Sequence, residues 1–194
     1  MMSNSLDQFE KFYAKNRREW RQWLKEHHNS SPGVWLIYYK KNSDKPRVDY
    51  EEAVEEALSF GWIDSKSKVL DEERYMQVFT PRKPGSAWSR SNKERVKKLV
   101  KNGLMKPAGL VKIDAAKKDG SWTILDDVED LVIPEDLKNI LEKNKAANEN
   151  FEAFSDSAKK QVLYWIVNAK RKDTRLRRIK KTVEFAAKNK KPFN

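Results

Sequence analysis

None of the 194 residues is cysteine, which excludes disulfides, thiolate metal sites and thiol catalysis and fits a reducing compartment. Histidine is nearly as scarce, with His27 and His28 the only two. Adjacent residues near a helix end point in different directions, so the pair does not make a two-ligand metal face. No metal and no cofactor are expected. No stretch approaches the roughly 18 apolar residues of a membrane span, and Met1-Met2-Ser3-Asn4-Ser5-Leu6-Asp7 has neither the cationic start nor the apolar run of a secretory leader. A cytoplasmic location is therefore expected. A glycine-rich phosphate loop and a nucleophile elbow are also missing. With no catalytic constellation legible, the expectation leans towards a binding protein rather than an enzyme.

What the chain does contain is large rings and positive charge. Seven Trp, six Tyr and eight Phe supply much of an apolar core, since each such ring buries about 150–250 Å². Forty-one Lys and Arg against 29 Asp and Glu leave a net charge of +12, an excess that attracts anionic partners without choosing among them. Its distribution is uneven. Tyr164 to Asn194 holds 11 basic and 2 acidic residues, whereas Asp119 to Leu137 holds seven carboxylates and no Lys or Arg. The two stretches can attract one another and reduce the basic surface left for a partner.

Hydrophobic periodicity and turn residues organise the rest. A helical region is expected to open near Leu6, with Asn16 and Glu19 as a capping box before Trp20, Trp23 and Leu24 on one face. Val34 to Tyr39 has strand composition, and Asp49 with Glu52 caps a helix that Gly61 ends. Arg74 to Thr80 is the second expected strand, closed by Pro81 and Pro84. Helices follow: one capped by Ser91 and Glu94 and closed by Gly103, and one from Pro107 to Gly120. Further helices start at Pro134, around Ala147 to Phe154 and over Val162 to Ala169, and the last is capped by Asp173 or Thr174. The fold class is α+β. A mixed part over 1–118 with few strands, an acidic linker or crossing segment over 119–133 and a helical part over 134–194 are expected.

Two regions are candidate binding surfaces. The first runs through Trp62, Asp64, Lys66, Tyr75, Thr80, Arg82, Lys83 and Trp88, where rings, cations and prolines are packed into about thirty residues. Its loop would suit anion capture or base stacking; equally, Trp88 can fold back over the next helix, and Asp64 can pair with Lys66 as a structural ion pair. The second is the last helix, where Arg171, Arg175, Arg178 and Lys181 would line a cationic ridge for phosphates. A solvated face opposite Leu176, Ile179 and Val183 is the alternative.

Several segments together resemble one family. They are Tyr50 to Leu58 running into Gly61 to Lys66, Asp71 to Tyr75, Phe79 to Pro84 with Trp88-Ser89, Asn92 to Val96, Met105 to Leu110, and Ala169 to Arg171 with Thr174, Arg175 and Arg177 to Ile179. In this order they are similar to the bacteriocin-protection, or OmpD-associated, family of small bacterial proteins, over most of the chain from Val34 to about Lys188. The resemblance implies a link to bacteriocin resistance or the envelope, and an OmpD-associated-like helical C-terminal part. It brings no reaction and no catalytic residue. The resulting expectation is a non-enzymatic cytoplasmic protein whose basic surface contacts an anionic partner, a nucleic acid or nucleotide-like ligand or an acidic protein. A small enzyme with a cleft around Asp64, Lys66 and Tyr75, and a helical adaptor for another protein, are the alternatives.

Overall fold

The structure, a computed structural model, describes residues 5–193. Chain contacts divide it into two units, Met1–Ser86 with Ser91–Gly120, and Ala87–Arg90 with Ser121–Asn194. The first holds a sheet and helices and the second only helices, so the α+β architecture read from the sequence holds.

In the first unit a 3-10 turn at Ser5–Gln8 leads into β1 (Glu10–Tyr13), followed by α1 (Arg17–His27) and β2 (Val34–Tyr39). The helix expected from Leu6 is thus a turn and a strand. Four residues are too few for an alternating pattern to stand out, and β1 is fixed by tertiary pairing, parallel to β2 from Glu10↔Val34 to Tyr13↔Ile37. The Asn16 cap is as expected, accepting from Glu19 N at 3.0 Å, but the box is not closed: the Glu19 carboxylate accepts from Lys15 N at 2.8 Å instead of from Asn16 N.

Helix α2 (Tyr50–Ser59) starts with the Asp49/Glu52 capping box. It leads into β3 (Trp62–Val69) and β4 (Arg74–Pro81), giving the sheet order β1-β2-β4-β3, antiparallel except at β1/β2. Register places Leu36, Tyr38, Phe79, Gln77, Tyr75 and Asp64 on one face. That face meets the helices: Trp20 lies 5.3 Å from Phe79, and Trp23 stacks on Trp20 at 5.3 Å. On the other face Trp35, Met76 and Val78 form a smaller cluster with Leu6 and Phe9. Helices α3 (Arg90–Lys101) and α4 (Pro107–Lys118) complete the unit, apart from Arg90 itself. Pro107 occupies the first helical position of α4, as its ring favours.

The second unit contains α5 (Asp126–Glu129), α6 (Glu135–Leu141), α7 (Lys145–Ala153), α8 (Asp156–Val167) and α9 (Lys172–Ala187). Leu125 and Val128 join Leu137, Leu141, Phe151 and Val162 in its core. From Ser121 onward the acidic stretch falls within this helical unit, its apolar residues Leu125 and Val128 recurring at helical spacing between the carboxylates. Helix α9 begins after Arg171 without a side-chain cap, and Asp173 sits in its first turn instead of at the expected cap position.

Candidate functional site

The residues singled out by composition do not form one presented surface. Trp62 is 1 % exposed, meets Trp23 edge-on at 5.7 Å and donates its indole N–H to His28 O at 3.1 Å. Trp88 is also buried, 5.0 Å from the Trp122 ring in its own unit. Both indoles expected to bind a partner are core residues. Burial of a large ring outweighs any local signal that a loop or strand start gives.

Asp64 is half-buried and accepts from Tyr50 OH at 2.8 Å and from Gln77 Nε2 at 3.3 Å. The expected partner, Lys66, lies within the bulge between Asp64 and Ser67, is exposed, and forms no ion pair among the described residues. The β-bulge breaks the alternation on which the pairing depended. Burial pushes the Tyr50 hydroxyl up to about 12, and the Asp64 carboxylate adds to the shift. Tyr75 stacks on Tyr38 at 5.0 Å. Thr80 pairs with Ile63 at a register position on the opposite face from Asp64. Arg82 is buried, its backbone N donating to Gly61 O at 2.9 Å; burial lowers its guanidinium to about 10 against the pull of Asp64. Lys83 is exposed. Asp64 and Tyr75 thus share a sheet face, and Lys66 does not join them.

The cationic ridge is largely engaged within its own unit. Arg175 grips Asp136 through Nε at 2.6 Å and a second nitrogen at 2.8 Å. Arg178 donates to Trp165 O at 2.5 Å and lies 5.1 Å over that ring, with Lys181 6.0 Å away on the same indole. Arg171 pairs with Asp173 at 3.2 Å. Two of the four cations therefore hold α9 to its neighbours.

A different group of cations converges in the first unit. Helix α1 buries Trp20, Trp23 and Leu24, which turns Arg18, Arg21 and Lys25 to the other side at i, i+3 and i+7. His28 and Asn29 continue that stripe past the helix end. Together with Phe60 and the first turn of α4, they line a cavity of about 750 Å³ that has no carboxylate in its wall. Lys106, Pro107, Ala108 and Val111 form the α4 side.

Close backbone packing fixes this wall. Lys106 N donates to Ser59 O at 3.1 Å, joining the start of α4 to the end of α2. A Cβ on Gly109 would lie 2.5 Å from Ser59 O and 2.7 Å from Leu58 O, so only glycine allows the approach.

The cations differ in how they are compensated. Arg21 meets the buried carboxylate of Glu56 at 2.5 Å, and Arg17 meets the same carboxylate at 2.6 Å. Arg21 also lies 5.7 Å over Phe60. Arg18, Lys25 and Lys106 form no side-chain ion pair among the described residues. Lys106 is in addition the N-cap of α4, with no capping side-chain bond and no acid in the first turn. A cation at the positive end of a helix costs about 0.3–1 kcal/mol. An anion entering this cavity would relieve that repulsion. His28 Nδ1 lies 2.9 Å from Leu24 O and so donates there, which leaves Nε2 as the available ring atom.

Composition alone concealed this site because α1 reads first as a core helix from its tryptophans. The stripe of Arg18, Arg21, Lys25 and His28 was legible at helical spacing on the opposite face. The contribution from Lys106, about eighty residues later, was not.

Comparison with protein families gives two matches. Residues 12–112, which span the cavity and the sheet from Phe12 onward, match the family described as Domain of unknown function (DUF8412). Residues 130–189 match the family described as Bacteriocin-protection, YdeI or OmpD-Associated. The resemblance read from the sequence is thus shown for the helical part, while the segments between Tyr50 and Leu110 fall within the other match. Comparisons with curated proteins and with solved structures found no match.

Proposed function

The chain belongs to the family described as Domain of unknown function (DUF8412), and on that premise we propose that it is a cytoplasmic binding protein for a small anionic ligand, held in the cavity between α1 and α4. The observation that carries this is the convergence of Arg18, Lys25 and Lys106, none with an ion-pair partner among the described residues, on one cavity without a carboxylate. Unneutralised cations around a concave site favour an anion by direct charge attraction and by focusing the field in the cleft. The cysteine-free composition supports the cytoplasmic setting. For the helical unit, the match at residues 130–189 supports a role in bacteriocin protection or OmpD association.

Isothermal titration of the full chain with inorganic pyrophosphate tests the reading. Saturable binding is expected that weakens as salt rises and is lost in the double variant Arg18→Glu/Lys25→Glu, with Lys180→Glu on α9 unchanged. Absence of binding, or equal loss in the α9 variant, contradicts it.

A further inference from the structure

Resting on the anion reading of the same cavity, we infer that its ligand is a nucleoside phosphate: a flat heteroaromatic ring carrying a sugar and a terminal phosphate. Three features lead there. The first is the apolar strip formed by Pro107, Ala108 and Val111 at consecutive and i+4 positions of α4, with Val111 65 % exposed. A free inorganic anion has no use for such a strip, whereas a base can lie flat against it.

The second is the polar set near the end of α1. With Nδ1 donating to Leu24 O at 2.9 Å, His28 has Nε2 left for a ligand, its ring 5.1 Å from that of Phe60. Asn29 adds an amide that both donates and accepts. Hydroxyls and base edges carry matching donors and acceptors; a fatty acid or an aromatic carboxylate does not.

The third is the placement of the cations. Arg18 and Lys25 lie two helical turns apart on α1 and Lys106 stands at the start of α4, so the charges surround one cavity instead of forming a long track. A volume near 750 Å³ falls within the range of about 300–1,000 Å³ usual for small-molecule sites. A duplex would need phosphate contacts spaced along a groove. The Lys106 ammonium then takes the phosphate, because Pro107 has no N–H and the Gly109 and Leu110 amides donate to Lys106 O at 3.0 and 3.1 Å, and the strip takes the base.

The test is a titration panel on the full chain using adenosine 5′-monophosphate, ribose 5-phosphate, inorganic phosphate and adenosine. Expected is binding of the nucleotide at least tenfold tighter than of any other member. Lys106→Ala should weaken nucleotide and inorganic phosphate by a similar factor of about three to ten, and Val111→Ser should weaken only the nucleotide and adenosine. Val111 and Lys106 are surface side chains, and circular dichroism of each variant reports whether it is folded. Should the two phosphates lacking a base bind as tightly as the nucleotide, base recognition is overturned while the anion reading stands. Failure of all four to bind overturns both.

Discussion

Glu56 is 2 % exposed and holds a carboxylate between Arg17 at 2.6 Å and Arg21 at 2.5 Å. Charge-assisted hydrogen bonds of this kind contribute about 1.5–3 kcal/mol each way, so Glu56→Gln is expected to destabilise the protein by roughly that amount in urea unfolding. The same change frees Arg21 for the cavity, and anion affinity should rise as stability falls. A variant as stable as the parent would mean that both arginines are satisfied elsewhere. Asp64 offers a second test at this scale, because Tyr50 is pushed to about 12 by burial first and by that carboxylate second. Asp64→Asn should bring one tyrosine back towards its ordinary value of 10.0 in an ultraviolet pH titration, a change absent in the Tyr50→Phe/Asp64→Asn double variant. Residue identity made Trp62, Asp64, Arg82 and Trp88 conspicuous in the sequence. It could not tell a ring that is presented from one that is packed, which depends on the register of β3 against β4 and on what the second unit buries.

Among the elements, caps and stops were the most legible, since they depend on neighbours three or four residues away. Asn16, Asp49, Gly103 and Pro107 all stand where their chemistry sets them. Strand β1 was not legible, because its four residues owe their conformation to β2, more than twenty positions later. The packing of α4 on α2 was also hidden. Gly109→Ala would place a Cβ against two backbone oxygens, and overpacking of this sort costs about 1–3 kcal/mol. The melting temperature should drop and the cavity should open at the Lys106 side, so that pyrophosphate binding weakens further than in Gly103→Ala, whose added Cβ meets nothing within 4 Å and strains only the φ of 66° at the end of α3.

Helix α9 is tied to α6 by Arg175 and Asp136, and the bond to Arg175 holds the Asp136 carboxyl below its ordinary 3.8. A depressed folded value means that this stabilisation is present above about 3.8 and fades as pH falls through the lower folded value. Both side chains are partly exposed, at 28 % and 47 %, which limits the contribution to under about 1 kcal/mol. The stability gap between the parent and Arg175→Ala should therefore be constant from pH 5 to 7 and close in more acidic solution. A gap that widens there would assign Arg175 a different role.

For the molecule as a whole, net charge was a poor guide to where an anion is met. The chain carries +12, and 11 of its basic residues lie between Tyr164 and Asn194. Yet Arg175 and Arg178 there are bound to Asp136 and to Trp165 O, while Arg18, Lys25 and Lys106, without an ion-pair partner among the described residues, meet at one cavity. Composition gives the total and the fold decides which charges are left over. On the reading proposed above, Arg18, Lys25 and Lys106 form one anion site in the first unit. Amide chemical-shift mapping of the full chain during addition of inorganic phosphate tests it most directly. Saturating shifts are expected at Ala108 to Leu110 and along Arg18 to Asn29, abolished by Lys25→Glu; shifts confined to α9, or spread evenly over every exposed lysine and arginine, would rule out a site there.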